Sequence, residues 1–228
     1  MVTRQSQSFI DYSKWVLSME GKLSKEKSDT AISCLTPDML ANGQVYHTNR
    51  GVTYCTFKTR GPILGKLPKT YNTFINMNDN DAIDFMYDSM VNLVGSQDLP
   101  DSLAISVQEW FWGNEVVPRN YFVKAVNNLG GKVKTWNEAK IAALKMDEEK
   151  LFREYDRLKK IWYNNLINYV SPKTGKMPYK INEKGWTRRN NDHTNRMLKY
   201  LSEQKKKQKN KKTFFITDFF ASLAIPKG

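Results

Sequence analysis

Apolar residues recur at helical spacing near the start of the chain, at Phe9, Tyr12, Val16 and Met19, and predict a helix over 8–20. Gly21 follows, a common helix stop, so Glu20 is expected at the helix end, facing what the next segment encloses. From Gly21 to Arg50 the periodicity dissolves into a long polar stretch containing Pro37 and Gly43, a length of loop that tends to be functional. "GVTYCTFKTR" is readable as a strand from its β-branched residues or as the start of a helix. Periodicity returns in "NDNDAIDFMYDSMVNLV", with Asn78 or Asp79 placed to cap and Ile83, Met86, Tyr87 and Met90 on one face. "PDSLAISVQEWFWGN" follows, with Leu103, Val107, Trp110 and Phe111 forming its apolar face.

The second half is more regular. "PRNYFVKAVNNLGG" predicts a helix closed by glycines, and "TWNEAKIAALKM" carries a capping box from Thr135 to Glu138. "DEEKLFREYDRLKKIWYNNLINYV" starts with acids and turns basic, as the helix dipole favours, with Pro172 and Gly175 expected to end it. "EKGWTRRNNDHTNRMLKYLSE" predicts a last helix. The lysine-rich run after it reads as a charged linker, and "TFFITDFFASLAIPKG" as an apolar segment suited to docking in a groove. The expected fold class is mostly α, with a long loop and little strand.

Composition narrows the function classes. Thirty-six basic and 23 acidic residues give a net charge of +13, which calls for an anionic partner: nucleic acid, a membrane surface or a bacterial wall polymer. No apolar run approaches the roughly 20 residues of a membrane span, and the first residues lack the layout of a secretory signal. A cytoplasmic origin is therefore expected, with any release by another route. Cys34 and Cys55 lack metal-ligand spacing, so no metal is expected; they read as two free thiols or one disulfide, the former being simpler. With His47 and His193 as the only histidines, a catalytic triad has few candidate bases, and no phosphate-binding glycine loop is present.

Three landmarks resemble one family. "VLSMEG" (16–21) is similar to the Glu-Gly-Gly motif of glycoside hydrolase family 108, the phage and bacterial N-acetylmuramidases. "TNRGVTYCTF" (48–57) is similar to that family's Thr-Asn-x-Gly-Ile-Thr segment, and Asp29 lies where the family carries Asp-Pro-Gly-Gly. In the second half, "INEKGWTRRNN" resembles the Lys-Gly-Trp-x-x-Arg signature of the helical peptidoglycan-binding region paired with these enzymes. Departures are visible: Lys22 replaces the second glycine, Pro-Gly-Gly is absent after Asp29, and Glu109 stands before Trp110 where the family tends to have Asp.

The resemblance implies a lysozyme-like catalytic domain over 1–115, a helical peptidoglycan-binding region over 116–200, and a linker with a docking segment over 201–228. It implies hydrolysis of the wall glycan without a cofactor, with Glu20 as general acid. Asp29, or less directly Glu109, would be the second carboxylate. Thr48, Asn49, Gly51 and Thr53 are candidate contacts to sugar hydroxyls and N-acetyl groups, with turn formation as their alternative role. Tyr54 and Trp112 are candidate stacking surfaces, and Trp110 is read as core. The partner is peptidoglycan. The lysine block and apolar tail suggest a virion-associated hydrolase whose residues 213–228 dock on a phage structural protein. The rivals are an inactive, hydrolase-derived wall-binding protein and a basic nucleic-acid-binding protein.

Overall fold

The computed structural model describes residues 1–27, 29–60, 69–111 and 116–223, with side chains to residue 210. The fold is mostly α: ten α-helices and three two-residue strands among the described residues. The chain divides into two compact units, Met1–Arg119 and Asn120–Gly228.

The first unit opens with α1 (Gln7–Met19), whose buried face carries Phe9, Tyr12, Trp15 and Val16. The helix does not end through a left-handed glycine. Glu20 itself leaves the helix in an extended conformation (φ −84°, ψ 136°) while its N–H still bonds the Val16 carbonyl. The segment expected to be a long loop is built up from small pieces: β1 (Leu23–Ser24), a 3₁₀ turn (Thr30–Cys34) capped by Asp29, and α2 (Pro37–Ala41) capped by Thr36. Then come β2 (Thr48–Asn49) and β3 (Val52–Thr53), which form an antiparallel three-stranded sheet with β1. Strands of two residues are too short to show any alternation, which is why the sequence reads as loop. "GVTYCTFKTR" serves both readings, supplying β3 and then α3 (Tyr54–Arg60).

Cys34 and Cys55 are joined in a disulfide, which corrects the reading of two free thiols. Neither residue's spacing revealed it; the 3₁₀ turn brings Cys34 onto α3. Beside the bond lies an apolar cluster of Leu35, Val52, Tyr54, Phe57, Phe74, Met77 and Phe85. Each fully buried phenylalanine contributes about 2–3 kcal/mol of burial free energy.

Phe74 and Met77 arrive through α4 (Tyr71–Ile75) and the turn after it. α5 (Asp79–Asp88) starts with Asn78 and Asp81 in a reciprocal capping box and continues as a π-helical turn over Ser89–Val94 that Gly95 closes at φ 68°. α6 (Asp101–Phe111) corrects the expectation of a single apolar face: every residue from Ser102 to Phe111 is buried. Its small residues, Ala104 and Ser106, let neighbours approach closely, and the Ser106 hydroxyl donates to the Ser102 carbonyl instead of reaching for water.

The second unit contains most of α7 (Val117–Asn128), with α8 (Trp136–Ala143), α9 (Glu148–Ile167) and α10 (Glu183–Leu223). The Thr135–Glu138 capping box forms as read. Phe122 meets Trp136 and Tyr155 edge-on in the core, alongside the buried Leu151, Phe152, Met197 and Leu201. α9 stops at Ile167 with Asn168 as its cap, before the expected Pro172. α10 runs straight through the lysine block, so 201–210 is helix and not a linker. Lysine is a good helix former, and Lys205 closes on Glu149 of α9 at 2.6 Å. Lys205, and after it Arg153, hold the Glu149 carboxyl below the usual carboxylate range. The pair therefore adds stability at neutral pH that is lost as pH falls through that lowered value. No described helix is long and apolar enough to cross a membrane.

Candidate functional site

Glu20 is placed by two local events, the end of α1 and a hairpin turn. Between β2 and β3 stand Arg50 at φ 50° and Gly51 at φ 78°, the pair of positive φ values that a two-residue mirror-image turn needs. Arg50 is an unusual residue for this conformation. Its guanidinium is held in compensation, by the Asp79 carboxylate at 2.5 Å, by Asn49 Oδ1 at 3.0 Å and by the Met77 carbonyl.

The turn brings the backbone of Gly51 against the Glu20 side chain. A Cβ at position 51 would lie 2.8 Å from Glu20 Cδ and 2.9 Å from Glu20 Oε2. Gly51 is thus needed twice, for its φ and for the space its missing side chain leaves to the carboxyl group. Glu20 remains half-buried. Gly51→Ala should lower stability by about 1–2 kcal/mol from the left-handed conformation, and should displace the free end of the Glu20 side chain, which can turn aside at little cost. Denaturant unfolding measures the loss, and an unchanged midpoint would mean that the turn tolerates a side chain.

Asn49 is fully buried. Its amide donates to the Phe74 carbonyl at 2.7 Å and lies 3.3 Å from that of Met77, pinning the hairpin to the end of α4. That corrects its reading as a sugar contact. Tyr54 is corrected likewise: it is 6 % exposed and packs edge-on to Tyr71, 5.4 Å away, and against Phe74 at 5.2 Å. Thr48 and Thr53 face each other across β2 and β3, with Ser24 in register on β1, so three hydroxyls share one sheet face. Thr53 also turns its hydroxyl to Thr56, accepting that residue's N–H at 3.2 Å at the start of α3.

Asp29 accepts the Ala31 N–H at 2.8 Å and stands 3.9 Å from His47 Nδ1. Its role as a cap is therefore visible, alongside any other. His47, weighed in the sequence only as a scarce catalytic base, is fully buried. Its Nε2 must carry the proton, since it bonds the Glu26 carbonyl at 3.0 Å. Nδ1 shares a hydrogen bond with the Thr48 hydroxyl at 3.1 Å. The ring fastens the segment before the 3₁₀ turn to the sheet. Its place two residues before Asn49 was the only signal, and a lone histidine does not announce such a role.

Glu109 is enclosed in α6 at 4 % exposure, too deep to meet a polymer at the surface. Trp110 is core, as read. Trp112 lies outside the described residues. Among the described residues no group of three or more His, Cys, Asp and Glu could hold a metal ion.

No protein-family model matches the chain. No curated protein matches it significantly. Among solved structures it is similar to Brucella abortus SagA, at 18 % sequence identity and a TM-score of 0.59, over 84 % of this chain and 94 % of that one. At that identity the likeness concerns the fold alone.

Proposed function

We propose that the chain is a lysozyme-like peptidoglycan hydrolase that cleaves the wall glycan, with Glu20 as the general acid. The observation that supports this most is the fit of the Glu20 carboxyl against the bare backbone of Gly51. A carboxyl group stands at a helix end against the turn of a hairpin, and that hairpin is itself held by a disulfide and by a buried histidine next to its first strand. Glycoside cleavage needs an acid that protonates the leaving oxygen while the sugar gains oxocarbenium character. Glu20 would deliver that proton, and Thr48, Thr53 and Ser24 would offer hydroxyls to the sugar edges. Asp29 is the candidate to steer water from the other face. The +13 charge suits a wall bearing anionic polymers.

A second reading keeps the fold without the chemistry, as a wall-binding protein descended from a hydrolase. It is favoured by Lys22 in the motif and by the capping bond that already engages Asp29. Incubation of the purified chain with bacterial sacculi separates the two. New reducing ends in the supernatant are expected. Sacculus binding without them would establish the second reading, and salt-sensitive binding to DNA with no affinity for sacculi would overturn both.

Residues 213–228, proposed to dock the protein on a phage particle, have side chains outside the described set. Deleting them should abolish incorporation into virions; unchanged incorporation would refute that role.

A further inference from the structure

The connection from α9 to α10, residues 168–182, carries a group of apolar side chains in full view of solvent. Tyr169, Val170, Met177 and Tyr179 are exposed, and Ile181 is 89 % exposed. The segment is ordered by its own backbone: the Ser171 N–H bonds the Lys176 carbonyl, and Gly175, at φ 64°, donates back to Ser171. The two limbs lie side by side, with the Tyr169 and Tyr179 rings 6.4 Å apart. Tyr179 stacks on Trp186 at 6.2 Å, and Trp186 meets Tyr163 at 5.2 Å. The exposed residues therefore stand on a half-buried aromatic base.

The charges around this tip have one dominant sign. Lys173, Lys176, Lys180 and Lys184 are exposed, and the single acid between residues 168 and 186, Glu183, is paired with Lys180 at 2.9 Å. A projecting tip of tyrosines and aliphatics ringed by ammonium groups matches the boundary of an anionic bilayer. There, aliphatic chains enter the acyl region, tyrosines settle at headgroup level and lysines meet lipid phosphates.

We propose that residues 168–182 dock the protein on an anionic membrane surface, with Ile181, Val170 and Met177 entering the interface and Lys173 and Lys176 meeting the phosphates. The docking is peripheral, and it is independent of whether Glu20 is an acid.

The test is co-sedimentation of the full chain with vesicles of equal parts phosphatidylglycerol and phosphatidylethanolamine, compared with vesicles of phosphatidylcholine alone. Binding to the anionic vesicles is expected, with little to the neutral ones. Ile181→Ser should weaken it by about tenfold, the loss of one buried aliphatic side chain. Lys173→Gln with Lys176→Gln should weaken it by tenfold or more. Ile141→Ser, at an exposed isoleucine of α8, should leave it unchanged and controls for general stickiness. Equal binding by Ile181→Ser and the native chain would show that the lysine block alone is responsible and overturn the proposal. So would absence of vesicle binding, or loss of sacculus binding in Ile181→Ser without vesicle affinity, which would make wall glycan the occupant.

Discussion

Glu20→Gln is expected to cut the release of reducing ends from sacculi by roughly a hundred- to ten-thousand-fold, the usual contribution of a positioned general acid. Glutamine has nearly the shape of glutamic acid, so it should keep the contact with Gly51. It has no acidic proton to give to a leaving alkoxide. Because Glu20 is half-buried and ends its helix through its backbone, stability should move by no more than about 0.5 kcal/mol. Activity and stability should therefore part company in this variant. Undiminished release would move the chemistry to another residue, and a large loss of stability would make Glu20 a structural group.

Breaking the Cys34–Cys55 bond is expected to cost the first unit about 3 kcal/mol, by the chain-entropy relation for a loop of this size. The bond closes a span of 21 residues that holds β2, β3 and the Gly51 turn. Cys55 is exposed, so a reductant can reach the bond without unfolding. Urea unfolding with and without dithiothreitol measures the effect, and Cys34→Ser with Cys55→Ser should reproduce the reduced protein. The same midpoint under both conditions would mean the thiols are not joined in solution. If the Glu20 reading is right, reduction should also lower activity below the denaturing range, because the hairpin that supports Glu20 loses its covalent tie.

The helices were legible wherever apolar spacing and caps agreed. The Thr135–Glu138 box could be read directly and the cap of α5 narrowed to Asn78 or Asp79, because a cap is a local contact between neighbours in sequence. The segment 21–50 was opaque for the opposite reason. Its strands are too short for a pattern, and its order comes from distant partners: Cys55 for Cys34, Phe74 for Asn49 and Glu26 for His47. Charge misled once, since lysines read as a linker also favour helix and find Glu149. Of the site, Gly21 gave the position of the helix end at Glu20 but not its cause, since Glu20 itself leaves the helix in an extended conformation. The contact with Gly51 was not, because it depends on two positive φ values across a turn.

The enclosure of α6 bears on how the chain comes into being. A helix buried along its whole length gains nothing from forming by itself, since each of its faces waits for a partner. Its main neighbours, α1 and the π-helical turn at 89–94, both precede it in the chain. Synthesis from the N-terminus therefore delivers α6 after these neighbours have left the ribosome.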